Sequence, residues 1–299
     1  MKHAVSVSLG SSSRDKKVTI ALKGEEISVE RIGTDGNIEK AQKLFTELDG
    51  QVDAFGVGGV DLYLRLGKRE YPLHAALKLV KNVHQTPVVD GRGLKFTLER
   101  RVFELAAPLL NGKPHFYKAF IPMAVDRQGL AQAVTEVTDE VIIGDLMVAL
   151  DIPIPISGLK SFRRVARVMF PFVSYFPMSL IFYGSGGTEY EPKYIRFWEE
   201  SDLLAGDFLF MKKYMIEDLH GKTIITNTTT KENIELLRTR GAKMVITTTP
   251  RYEGRTFGTN MMEAALTAYA GKRRPLTNDE LNKLIDELEF GPHVQILND

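Results

Sequence analysis

Residues 116–145 read FYKAFIPMAVDRQGLAQAVTEVTDEVIIGD. An apolar run from Phe116 to Val125 gives way to helical spacing around Gly129 to Val137. A second apolar run, Val141-Ile142-Ile143, then ends at Gly144-Asp145. Two strand-length runs flanking an amphipathic helix read as a βαβ unit, in which the crossover helix returns the chain parallel to its start. Three more strand-like runs follow, Asp202–Gly206, Thr223–Asn227 and Lys243–Thr247, separated by helical or turn segments. Strands alternating with helices predict a parallel sheet covered on both faces. The expected fold class is therefore α/β with two domains, the second a Rossmann-like doubly wound parallel sheet.

Upstream of this stretch, Val5, Val7 and Leu9 alternate like a strand, Gly10-Ser11-Ser12-Ser13 turns the chain, and Val18, Ile20 and Leu22 alternate again. Gly24 leads into Ile27-Ser28-Val29, helical spacing runs over Ile38, Ala41, Leu44, Phe45 and Leu48, and residues 52–57 read as a buried strand. A helix over Leu73–Val83, a short strand at Pro87-Val88-Val89 and a long helix from Leu94 to Leu110 complete this part. Asn111-Gly112-Lys113-Pro114 joins a helix-ending glycine to a proline, which places a domain boundary there. The expected division is 1–112, an N-terminal α/β domain; 113–270, the nucleotide-binding domain; and 271–299, a docked helix. That last helix is announced by Thr277-Asn278-Asp279-Glu280, a capping-box pattern, ahead of Leu281, Leu284, Ile285 and Leu288.

Composition narrows the function classes. A length of 299 residues favours two domains, and 39 Lys plus Arg against 38 Asp plus Glu leave no global field to attract nucleic acid. The absence of Cys removes thiolate nucleophiles, disulfides and Cys-ligated metals, and the six His are scattered without metal-ligand spacing, so no metal site is expected. The N-terminus alternates from Ala4 to Leu9 where a signal peptide would be continuously apolar, which suggests a cytoplasmic protein. The uncharged stretch Val168–Tyr183 is short for a membrane span and is interrupted by Pro171 and Pro177.

In open parallel sheets ligands sit beyond the carboxyl ends of the strands. Those ends are polar here: one strand runs into Thr226-Asn227-Thr228-Thr229-Thr230, another into Thr247-Thr248-Thr249-Pro250. Asp145 follows its turn by about 20 residues, where an acid can accept hydrogen bonds from an adenosine ribose, favouring NAD over NADP; it can equally be a solvated loop acid. The expected cofactor crevice comprises Gly129, Asp145, Gly206, Asn227, Thr228 and Thr248, taking NAD or NADP. Gly56-Val57-Gly58-Gly59 can admit a phosphate to backbone N–H groups or simply turn the chain. Asp90-Gly91-Arg92-Gly93-Leu94-Lys95 lies where a strand meets a helix; Lys95 and Asp90 are candidate proton-transfer groups, or an ordinary cap with surface cations.

Asp202-Leu203-Leu204-Ala205-Gly206-Asp207 and Met215 to Asn227 resemble the late strands of Rossmann dehydrogenases. Residues 90–95, Gly144-Asp145-Leu146 and Gly254-Arg255-Thr256-Phe257-Gly258-Thr259-Asn260 resemble bacterial proteins labelled quinate 5-dehydrogenase, which implies an NAD(P)-linked oxidoreductase acting on an alcohol or carbonyl. The phosphate turn departs from the glycine-rich pattern: Ala124-Val125-Asp126-Arg127-Gln128-Gly129 keeps the last glycine and puts a carboxylate in the middle, where it would repel a pyrophosphate. A rival reading is therefore a non-redox ligand-binding or lipid-surface protein that retains the Rossmann layout. The Gly10–Ser13 turn also resembles the phosphate loop of actin-like ATPases, with Ser8 where those carry a metal-organising Asp.

Lys160, Arg163, Arg164 and Arg167 precede Met169, Phe170, Phe172, Phe176, Met178 and Phe182. Cations followed by bulky apolar groups suit a buried arm in a homodimer, the favoured expectation, or a peripheral membrane contact. The prolines are expected to prevent one continuous helix here.

Overall fold

The computed structural model describes residues 1–110, 112–181 and 190–299. The chain is α/β and forms two compact units, each assembled from several stretches. Met1–Leu94, Arg167–Gly187 and Gly258–Glu289 make the first; Lys95–Ala166, Thr188–Phe257 and Phe290–Asp299 make the second.

The second unit carries a seven-stranded Rossmann-like sheet in the order Ile156–Ser157, Thr138–Ile143, Phe116–Ile121, Leu203–Ala205, Thr223–Thr226, Met244–Thr247, His293–Ile296. The five inner strands are parallel, and the two outer ones pair antiparallel to their neighbours. From Phe116–Ile121 the chain first winds outward to Thr138–Ile143 and later resumes on the other side at Leu203–Ala205. The strand order thus reverses between Phe120 and its partner Leu204, the position at which such sheets open a ligand crevice. Phe120 is fully buried, with Trp198 edge-on to it at 4.9 Å between ring centroids. The indole N–H donates to the Lys193 carbonyl at 2.9 Å, so the large ring is buried without an orphaned donor.

The first unit has a five-stranded sheet in the order Lys16–Leu22, Glu25–Gly33, Lys2–Ser8, Ala54–Gly58, Val88–Val89, parallel except for its first pair. The helix Thr259–Ala270 is buried over most of its length, with Thr259, Glu263 and Thr267 buried among its apolar residues. Gly56 and Gly58 accommodate it: a Cβ on Gly56 would lie 2.8 Å from the Asn260 carbonyl oxygen, and one on Gly58 3.2 Å from the Asn260 side-chain nitrogen. Residues 258–270 and the helix Asn278–Glu287 belong to the first unit, while residues 95–110, expected there, belong to the second. Thr277 and Glu280 form the anticipated capping box in both directions.

Several local expectations change. The helix expected over 73–83 is only His74–Leu77, and the long helix from Leu94 is broken into Arg92–Phe96, a 3-10 turn at Glu99–Arg101, Val102–Ala106 and a second 3-10 turn at Ala107–Leu109. Helix Gly158–Val173 runs through Pro171, which was expected to break it. The proline sits in the final turns, so the ladder forfeits one N–H near its end. Phe170 is buried edge-on to Tyr71, Phe172 is exposed, and Phe182 lies outside the described residues.

Gly129 lies inside helix Gln128–Thr135, where a Cβ would run into the carbonyl oxygen of Lys95. Alanine in a helix interior ordinarily stabilises relative to glycine by about 1 kcal/mol. Gly129→Ala should reverse that sign and cost about 2–3 kcal/mol through overpacking, read from urea unfolding.

Candidate functional site

The turn 122–127 leads from strand Phe116–Ile121 into helix Gln128–Thr135, at the carboxyl ends of the second unit's strands. Asp145, the first residue of helix Asp145–Leu150, accepts the backbone N–H groups of Ala124 and Val125, each at 2.8 Å and each on a different carboxylate oxygen. In a dinucleotide-binding turn such amides face the pyrophosphate, and an acid at this strand end keeps its oxygens for the ribose. Here the acid and the amides use each other. Burial pushes Asp145 up to about 7 against the two N–H bonds, which favour its charged form, and the Asp126 charge adds to the rise.

Behind the turn lies a buried charge cluster. Glu99 is fully buried, and burial raises its proton affinity against the pull of Arg127 and Lys95. One of its oxygens receives the Arg127 guanidinium, the Asn227 amide at 3.2 Å and the Thr248 hydroxyl at 3.3 Å; the other has no hydrogen-bond partner. Arg127 also reaches Asp207 at 2.9 Å, and Lys95 pairs with Asp126 at 3.1 Å. Burial alone would raise Asp126, but Lys95 and Arg127 outweigh it and hold the carboxyl below its usual range. Glu99 is innermost, the side chains of Lys95 and Arg127 are 6% exposed around it, and Asp126 at 14% and Asp207 at 32% lie outermost. The face turned toward water is therefore acidic.

Of the residues expected from sequence, Asn227 and Thr248 meet at Glu99, and Thr228 donates to the Asn227 amide oxygen at 3.0 Å from a left-handed backbone with φ of 56°. Gly206 follows its strand, its N–H bonded to the Ile225 carbonyl, and Gly129 contacts Lys95 as described. Lys95 and Asp90 fall in different units. Asp90 accepts the N–H groups of Leu62 at 2.9 Å and Arg92 at 3.1 Å, tying its own loop to the one at Leu62. The Gly10–Ser13 turn is likewise occupied, since Ser8 accepts from Gly10 and Arg31, and Asp35 accepts the Ser12 N–H at 2.7 Å. Sequence reasoning missed Glu99, which sits in a Glu99-Arg100-Arg101 run that reads as surface charge. It also missed Glu263, alone on an apolar helix. In the first unit, Glu263 accepts the Leu94 N–H at 3.2 Å and is pushed up to about 8 by burial, with Asp90 adding to the rise.

Among the described residues no three His, Asp or Glu side chains converge to hold a metal, and no helix is long and apolar enough to cross a membrane. A cavity of about 430 Å³ lies beside the amino end of strand Thr223–Thr226, lined by Ile195, Ile216, His220 and Lys222 among others, and so away from the crevice.

Fold and site define a two-unit α/β protein with a Rossmann-like sheet whose crevice end is closed by ion pairs. Residues 93–297 match the family described as "Domain of unknown function (DUF8754)", and the chain belongs to that family; residues 3–90 match a second, "Domain of unknown function (DUF8753)". No curated protein matches the chain. Similar solved structures include NAD-dependent malic enzyme from Thermotoga maritima, at 13% identity and a TM-score of 0.38 over 95% of this chain and 75% of that one. Malic enzyme from Entamoeba histolytica is similar at 11% and 0.38, over 93% and 60% of the two chains. GanP, a glucose-galactose binding protein from Geobacillus stearothermophilus, is similar at 11% and 0.35, over 99% and 97%. Likenesses this small leave function to the chemistry of the site.

Two substitutions probe the buried charges. Arg127→Met strands Glu99 without its cation and should cost about 3–5 kcal/mol; adding Glu99→Gln should recover part of that loss in urea unfolding. Native Glu263 keeps its proton up to about 8, whereas the unfolded chain releases it near 4.5. Its contribution to stability is thus complete below the unfolded value and lost as pH rises through the native one. Glu263→Gln, which cannot ionise, should melt above the parent at about pH 9 and lose that advantage at about pH 5.

Proposed function

We propose that the chain is a non-redox ligand-binding protein whose Rossmann-like unit takes a small hydrogen-bond-donating molecule, such as a polyol or an amine, in place of a dinucleotide. The observation that carries this reading is the Asp145 carboxylate bonded to the Ala124 and Val125 amides. A pyrophosphate would have to displace an internal anion and then sit beside Asp126. A ribose would have to share each Asp145 oxygen with a backbone N–H. The rim formed by Asp126 and Asp207 accepts donors and repels phosphates.

A second reading is favoured by the reversal of strand order between Phe116–Ile121 and Leu203–Ala205, with Asn227, Thr228 and Thr248 at neighbouring strand ends. On that reading the chain is an NAD(P)-linked oxidoreductase resembling the proteins labelled quinate 5-dehydrogenase. Substrate would then be a small or lipid-like alcohol or carbonyl compound, with Lys95 as the candidate proton-transfer group.

Calorimetric titration separates the two. With NAD, NADP and their reduced forms the first reading expects no saturable heat up to about 1 mM, a binding free energy weaker than about −4 kcal/mol. A panel of polyols and amines should raise the melting temperature by mass action. A saturable isotherm for any dinucleotide below that concentration would sink the ligand-binding proposal and select the oxidoreductase.

A further inference from the structure

Helix Gly158–Val173 buries Leu159, Phe162, Ala166 and Phe170 on one side. Its other side is open to water and carries Lys160, Arg163, Arg164 and Arg167, all exposed. Beside these cations Val168 and Phe172 are each 63% exposed, and just beyond the helix Tyr175 is 76% and Leu180 66% exposed. At four-residue spacing Lys160, Arg164, Val168 and Phe172 form one row along the helix, while Arg163, Arg167 and Pro171 form the next. Cations thus fill the first half of the open face and apolar groups the second. Among the described residues, no carboxylate pairs with Lys160, Arg164 or Arg167, and Arg163 reaches Gln132 at 3.4 Å.

We propose that this face docks on an anionic lipid bilayer, with the cations against the headgroups and Val168, Phe172 and Leu180 at the acyl boundary. Charge decides between this occupant and a second copy of the chain. An isologous pair joins two identical faces, each bringing the same four cations and no carboxylate, and burying cations unpaired is costly. Anionic headgroups supply the missing countercharge, while Phe172 and its neighbours leave water for the interface. No helix of the described residues can cross the bilayer, so the segment lies along its surface.

The test sediments the full chain with vesicles of phosphatidylcholine alone and of phosphatidylcholine mixed with phosphatidylglycerol. The protein should pellet with the anionic vesicles only. Binding should weaken as salt shortens the Debye length from about 30 Å at 0.01 M to about 10 Å at 0.1 M. Replacing Arg163, Arg164 and Arg167 together by Gln should lower partitioning about a hundredfold, at about fivefold per cation, whereas Lys at the same positions should keep it. Phe172→Ser should lower it about tenfold. These side chains are exposed, and unchanged melting curves confirm that the fold survives. Equal pelleting with both vesicle types, or none with either, overturns the proposal. So does a dimer in light scattering that Phe172→Ser dissociates and that ignores lipid, since the face would then be a subunit interface.

Discussion

Arg127 holds the Rossmann-like unit together at the point where its sheet would otherwise open. Its guanidinium bridges Glu99, on the 3-10 turn Glu99–Arg101, to Asp207, which caps the helix after strand Leu203–Ala205. A carboxylate as enclosed as Glu99 is tolerable only with a cation and donors on it, and Arg127, Asn227 and Thr248 provide both. Of the polar strand ends that suggest a cofactor crevice, Asn227 and Thr248 are thereby accounted for as the solvation of one buried acid. Lys95 at 3.1 Å and Arg127 at 3.7 Å both face Asp126, so the turn carries its carboxylate without an external counter-ion.

Two turns with phosphate-loop character, one in each unit, are closed by the same device. Asp145 takes the amides of Ala124 and Val125, and Asp35 takes the amide of Ser12. The environments differ, and the proton affinities move in opposite directions. Asp35 is solvated, so the Ser12 hydrogen bonds prevail and lower its pKa. Asp145 is desolvated, and burial prevails over two comparable bonds to raise it. Asp145 therefore titrates near neutrality at the mouth of the sheet. Asp35 stays ionised over the same range.

The βαβ reading of residues 116–145, the later parallel strands and the capping box at Thr277 were legible because periodicity and end signals are local properties of the chain. The antiparallel edge strands Ile156–Ser157 and His293–Ile296 were not: each is short, and each is defined by its neighbour rather than by its own pattern. Unit membership was illegible for a related reason. Helix Thr259–Ala270 announces that it must be buried but not against which sheet, and the answer lies in Gly56 and Gly58, some 200 residues away. At the site, Asp126 and the missing glycines were visible as a departure. Their consequence required Glu99, which in one dimension is indistinguishable from a surface charge beside Arg100 and Arg101.

The geometry that lets a Rossmann sheet bind ligands is therefore present while its electrostatics are inverted. A dinucleotide turn offers unpaired N–H donors and the positive end of a helix to an anion. In this chain the Ala124 and Val125 donors are spent on Asp145, the cations Lys95 and Arg127 are sandwiched between the buried Glu99 and the outer carboxylates of Asp126 and Asp207, and those two form the outer layer. An outer layer of carboxylates opposes an anion at this crevice without moving a strand. The strand order at such a crevice consequently locates where a ligand would sit, and the layering of charge around Arg127 decides what kind it can be.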